Sequence, residues 1–97
     1  MNYSQLVTED RRLVILRFLA EAQDYCLNTS VLQSVLASVG HCCSRDQVAT
    51  DAAWLEEQGL VRSEAMGPVA LVRLTARGED VAAGRAVAPG VKRPSPR

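Results

Sequence analysis

The run RRLVILRFLAEAQDY, residues 11–25, constrains the fold more than any other stretch, because its apolar residues do not keep to one side of a helix. Leu13, Val14, Ile15, Leu16, Phe18, Leu19, Ala20 and Ala22 cover more than the stripe of about 100° by which a helix rests on a single surface. The length and the Ala, Glu and Gln continuation favour a helix over a strand. Such a helix demands burial on two sides. Thr8 followed by Glu9 and Asp10 supplies a cap and two acids suited to a helix N-terminus, which predicts a first helix over residues 8–24. The second side could be covered by another copy of the chain or by the N-terminal MNYSQLV folding back.

Little else is available to do the covering. At 97 residues the chain can build one core and not two. Its only aromatics are Tyr3, Phe18, Tyr25 and Trp54, so the core must be Leu, Val and Ala, which favours further helices. In CLNTS, residue 28, 29 or 30 can cap a second helix over VLQSVLASV, with Val31, Leu32, Val35, Leu36 and Val39 inward and Gly40 ending it. Ser44 and Gln47 have the spacing of a capping box, and the third helix spans 44–58, with Val48, Ala52 and Leu55 inward and Gly59 as stop. LVRSEA and VALVRLT, joined by MGP, read as a β-hairpin. Thr75 caps a last short helix over ARGEDVAAGRA.

The expected fold class is therefore mainly α with a small antiparallel hairpin, in one domain over residues 1–86. Residues 87–97, VAPGVKRPSPR, hold three of the four prolines and little apolar material, and read as a disordered basic tail. Zero net charge hides this asymmetry: residues 1–86 hold 8 Lys and Arg against 11 Asp and Glu, a balance of −3, and the tail carries Lys92, Arg93 and Arg97. No run is long and apolar enough for a membrane span, and the N-terminus lacks a signal-peptide pattern. Three cysteines, two of them adjacent, do not suit a disulfide framework. A cytoplasmic protein with reduced thiols is expected.

WLEEQGLVRSE and LVRLTARGEDV carry a family resemblance. They are similar to the helix-3 exit and wing strands of MarR- and PadR-type regulators, L-E-x-x-G-L-V followed by L-T-x-x-G, and residues 27–84 resemble a winged helix-turn-helix. The small size and Pro-rich end also resemble short winged-helix proteins of Mu-like phages and prophages. The resemblance implies the order α1, short β, α2, α3, β2, β3, α4, and double-stranded DNA as partner. It also implies sequence-specific regulation of transcription in the cytoplasm, and a homodimer formed through helix 1 and the last helix. On this pattern the outward residues of helix 3 are Arg45, Asp46, Gln47, Ala49, Thr50 and Ala53. Arg45 would pair with guanine, Gln47 with adenine and Thr50 with phosphate. Gln47 is asked both to close the cap and to read a base, and the two roles compete. Arg62 and Arg73 on the wing strands, with Lys92 and Arg93 of the tail, are the candidate phosphate contacts.

Charge argues the other way. Helix 3 sets Arg45 against Asp46, Asp51, Glu56 and Glu57, and the hairpin tip AMGP has no cation, so a winged helix reused for protein contacts is the competing reading. His41, Cys42, Cys43 and Cys26 are of the type zinc prefers, but adjacent cysteines point apart. On the family pattern Cys43 falls where a buried aliphatic residue closes the turn between helices 2 and 3 and Cys26 precedes the short strand, so both are expected to pack as small hydrophobes, with no metal. Trp54 reads as packing. With a single histidine lacking a sequence-visible acid partner and no Gly-rich phosphate loop, the chain is expected to be no enzyme, with no cofactor and no small-molecule substrate.

Overall fold

A computed structural model describes residues 2–95; Arg97 of the basic tail lies outside the described residues. The elements are α1 (Tyr3–Glu21), a short 3-10 turn (Gln23–Tyr25), β1 (Cys26–Asn28), α2 (Thr29–Ser38), α3 (Arg45–Glu57), β2 (Val61–Met66), β3 (Val69–Leu74) and α4 (Ala76–Ala83). Their order and the α+β class are those expected. The three strands form one antiparallel sheet in the order β1-β3-β2, with Leu27 opposite Val72 and Ser63 opposite the same residue from the other side.

α1 starts earlier than Thr8. Asn2 accepts from the Gln5 amide at 2.8 Å and the Gln5 side chain accepts from the Asn2 amide at 3.1 Å, a complete capping box that the stronger-looking Thr8-Glu9-Asp10 signal hid. Residues 3–7 therefore continue the helix instead of folding back over it. The helix stops at Glu21 because Ala22 is extended and Asp24 and Tyr25 take left-handed φ of 58° and 57°.

Asn28 is the cap of α2, accepting from the Val31 amide at 2.8 Å. Leu32 and Leu36 are fully buried, Val35 is half-buried, and Val31 and Val39, expected inward, are exposed. The inner stripe is thus narrower than the run of apolar residues. Gln33 Nε2 donates to the Cys43 carbonyl at 3.2 Å and the His41 amide to Leu36 at 2.9 Å, which fixes the turn into α3.

Ile15, Leu16, Leu19, Leu32, Leu36, Leu55, Leu60 and Val72 form the centre of the core. The two stretches that carried the family resemblance clasp each other across it. Thr75 Oγ1 donates to the Gly59 carbonyl at 2.8 Å, its amide donates to Leu60 at 3.1 Å, and the same hydroxyl caps α4 by accepting from Gly78 at 3.0 Å. A Cβ at Gly78 would overlap the Leu60 carbonyl, so G-L-V and L-T-x-x-G hold β2 and α4 in contact.

The C-terminal stretch is docked through Lys92, which corrects the expectation of a loose tail. Ala88 and Val91 are buried in the core cluster. Arg12 donates to the Gly90 carbonyl at 3.0 Å, and the Lys92 amide to Glu9 at 3.2 Å. Prolines exclude a helix here but not a strap, and two small apolar side chains suffice to seat one against α1.

Candidate functional site

α3 begins at Ser44, whose side chain accepts from the Gln47 amide at 3.1 Å. The reciprocal half of the expected capping box is missing, because the Gln47 side chain donates instead to Asp51 Oδ1 at 3.3 Å. Val48, Asp51, Ala52 and Leu55 face inward, and Arg45, Asp46, Ala49, Thr50 and Ala53 are exposed along the outer side. The structure thus gathers all the nominated helix-3 residues except half-buried Gln47 on one uncovered face.

The inner side of α3 is held by three successive residues of α1. Arg11 pairs through Nε with Asp51, and its Nη2 lies 3.3 Å from Asp51 Oδ1. Asp51 is only 1% exposed, so it does not belong to the acidic surface counted from the sequence. The Arg12 guanidinium stacks over Trp54, 3.8 Å from the ring centre, a cation–π contact that sandwiches the indole between α1 and the strap at Gly90. Asp10 reaches the turn before α3: its Oδ2 lies 2.7 Å from His41 Nε2, and its Oδ1 accepts from Lys92 at 3.2 Å. The Asp10-Arg11-Arg12 triplet therefore ties α1, the α2–α3 turn, α3 and the strap together, and His41 does have an acid partner, 31 residues upstream.

Partial burial alone would raise the Asp10 carboxyl, but the hydrogen bonds from His41 and Lys92 outweigh it and hold the group below its ordinary 3.8. With the folded pKa the lower one, the stabilisation is fully present above the unfolded carboxylate range and is lost as pH falls through the folded value. Asp10→Asn is expected to be less stable than the parent chain between about pH 5 and 7 and to converge with it in stronger acid. Thermal melts whose separation does not change through that acid range would contradict the pairing.

The hairpin adds a second charged feature. Arg62 and Arg73 are directly opposite each other on β2 and β3, both exposed and outside the ion pairs of the described residues. Like charges in this position repel. Arg73 Nη1 donates to the Asp24 carbonyl at 3.2 Å, while Glu56 of α3 accepts from the Ser63 amide at 3.0 Å, which fastens the end of α3 to β2. The tip, with Gly67 at φ 61°, carries no cation. Of the tail candidates, Lys92 is engaged with Asp10 and Arg93 is exposed.

Cys42 is exposed, and Cys26 and Cys43 are half-buried. Burial, more than the neighbouring charges, pushes the Cys43 thiol up. Among the described residues no group of three or more His, Cys, Asp or Glu side chains is placed to hold a metal ion, and no helix is long and apolar enough to cross a membrane.

The sequence reading missed the clamp behind α3. Its signal was present: Asp51 lies three residues after Val48 and four before Leu55, so the spacing puts an acid on the inner stripe, where a buried cation must answer it.

The chain is 50% identical over 94 residues to the phage Mu protein gp26, an alignment covering 97% of each chain. It is 48% identical over 64 residues to a protein of Haemophilus influenzae, covering 66% of this chain and 62% of that one. Both relatives are described as uncharacterized. No family model matches the chain, and no solved structure matches it significantly.

Proposed function

Since the chain belongs to the family of the phage Mu protein gp26, we propose that it is a phage-type winged helix-turn-helix protein that binds double-stranded DNA as a sequence-specific regulator of transcription. α3 is the helix that enters the major groove, and the β2–β3 hairpin is the wing. The observation that carries this reading is the sorting of α3 into two sides. Asp51 is neutralised behind the helix by Arg11, and the uncovered side offers Arg45, Thr50 and two alanines small enough for close approach to base edges. Arg62 and Arg73 oppose one another across the strands, in a groove that Glu56 and Glu64 also line, and a phosphate held by both would relieve their repulsion.

In this reading Arg45 contacts a base, Thr50 a phosphate, and Gln47 positions the helix through Asp51 instead of reading adenine. Lys92 serves the strap, which among the described residues leaves Arg93 of the tail to meet the backbone. Arg45→Ala is expected to weaken binding at a selected site by about 1–3 kcal/mol. The double change Arg62→Ala and Arg73→Ala is expected to reduce the slope of log affinity against log salt by about 0.9 per lost contact. Fluorescence anisotropy on duplex DNA measures both, and unchanged affinity and slope in these variants would remove the residues from the interface.

One observation favours the alternative of a protein-binding winged helix. Asp46, Glu56 and Glu57 remain exposed on α3 beside the single Arg45, and the hairpin tip has no cation. A co-purifying partner retained at high salt, together with no DNA affinity at low salt, would establish that reading instead.

A further inference from the structure

Arg12 is the least provided for of the three residues with which α1 backs α3. Arg11 has Asp51, and Asp10 has His41 and Lys92, but Arg12 has no carboxylate partner among the described residues. Its Nε is buried without an acceptor, and its guanidinium donates from Nη1 to the Gly90 carbonyl at 3.0 Å. The strap is therefore what aims Arg12 at Trp54, 3.8 Å from the ring centre. The strap also bears on the indole itself, since a Cβ at Gly90 would lie 2.7 Å from both Cζ2 and Cη2.

We infer that the strap orients α3, and that Trp54 is the positioning residue through which it acts. The apolar contacts of Val48, Ala52 and Leu55 are non-directional and decide which side of α3 faces inward. Two directional attachments to α1 add the rest. Arg11 on Asp51 fixes where the helix sits, and a single such point leaves it able to roll. Arg12 and Gly90 on Trp54, three residues further along, oppose that roll, because a planar ring stacked under a cation has a preferred direction. Trp54 lies one turn after Thr50 and next to Ala53, both on the uncovered face, so a roll at the indole passes directly to that face. The consequence for binding rests on the proposed role of α3 as the helix that meets DNA. Arg45 and Thr50 reach their partners only at hydrogen-bond distance and angle, so affinity follows the docking of the strap.

N–H residual dipolar couplings of residues 45–53 in the full, isotope-labelled chain report the orientation of α3 without DNA and without interference from ring currents. Gly90→Val and the milder Val91→Ser are expected to release the strap, seen as red-shifted Trp54 emission, and to change these couplings. Val81→Ala, in the buried side of α4, removes core volume away from α3 and is expected to change neither. Trp54→Phe keeps a ring for Arg12 to stack on and is expected to keep the parent orientation, whereas Trp54→Leu, apolar without a ring, is expected to behave like the strap variants. Affinity for duplex DNA at low salt is then expected to fall about tenfold in the strap variants and in Trp54→Leu, part of the worth of one base contact, and to stay with the parent in Trp54→Phe and Val81→Ala. A released strap with the couplings of residues 45–53 unchanged would overturn the inference, as would equal effects of Trp54→Phe and Trp54→Leu, or strap variants that bind duplex as tightly as a binding parent. A parent chain that binds no duplex, while the couplings change as expected, would sink the DNA reading and uphold the positioning of α3.

Discussion

Asp51→Ala is expected to lower the stability of the chain by about 3–5 kcal/mol, the usual result of stranding one partner of a buried ion pair. Arg11 is 7% exposed and Asp51 1%, so the orphaned guanidinium would stay charged where water reaches it poorly. The loss is a large fraction of the roughly 5–15 kcal/mol that holds a domain together. The double variant Arg11→Met, Asp51→Leu removes both charges and fills similar volume, and is expected within about 1–2 kcal/mol of the parent. Urea unfolding midpoints of the three chains measure the contrast. A single variant within 1 kcal/mol of the parent, on the order of one ordinary hydrogen bond, would mean that the pair is solvated. The functional consequence follows from Gln47, which Asp51 also holds: without the acid, the first turns of α3 lose their anchor to α1.

A chain ending at Ala86 is expected to lose about 3 kcal/mol, from the burial of Val91 and Ala88 and the hydrogen bonds of Arg12 and Lys92 with the strap. Trp54 reports the event directly, because removing Gly90 uncovers its ring, and its emission is expected to shift to the red. Gly90→Val is expected to undock the strap without shortening the chain. A Cβ there would lie 2.7 Å from two Trp54 ring carbons, at a φ of 94° that a β-branched residue avoids. Unchanged emission and midpoint in the shortened chain would contradict the docking. Removing residues 87–97 is therefore no clean test of a basic arm, since the same cut opens the core.

The elements that local signals govern were legible in the sequence. Ser44, Thr75 and Asn28 cap the helices that their positions announced, and the MGP turn closes the expected hairpin. The early start of α1 was legible too, in the Asn2 and Gln5 pair, but the adjacent acids drew the boundary to Thr8. What could not be read locally was the pairing of distant charges. Arg11 finds Asp51 at a separation of 40 residues, and Lys92 finds Asp10 at 82; no spacing rule encodes either. Asp51 was counted as surface acid although its spacing from Val48 and Leu55 places it on the inner stripe, which exaggerated the negative character of α3. Residues 87–92 looked idle, because a strap needs only two small apolar contacts to dock and composition averages those away. The uncovered face of α3 was predictable from its 3.6-residue period, apart from Gln47, whose tie to Asp51 depends on the clamp behind it.

Amide chemical-shift mapping of the full, isotope-labelled chain during titration with duplex DNA at low salt tests the DNA-binding reading most directly. The expected result is a set of shifts concentrated on residues 45–53 of α3 and on Arg62, Ser63 and Arg73 of the hairpin, weakening steeply as salt is raised. Shifts confined to α1, or a spectrum that DNA leaves unchanged, would contradict it and assign the exposed face of α3 to a protein partner.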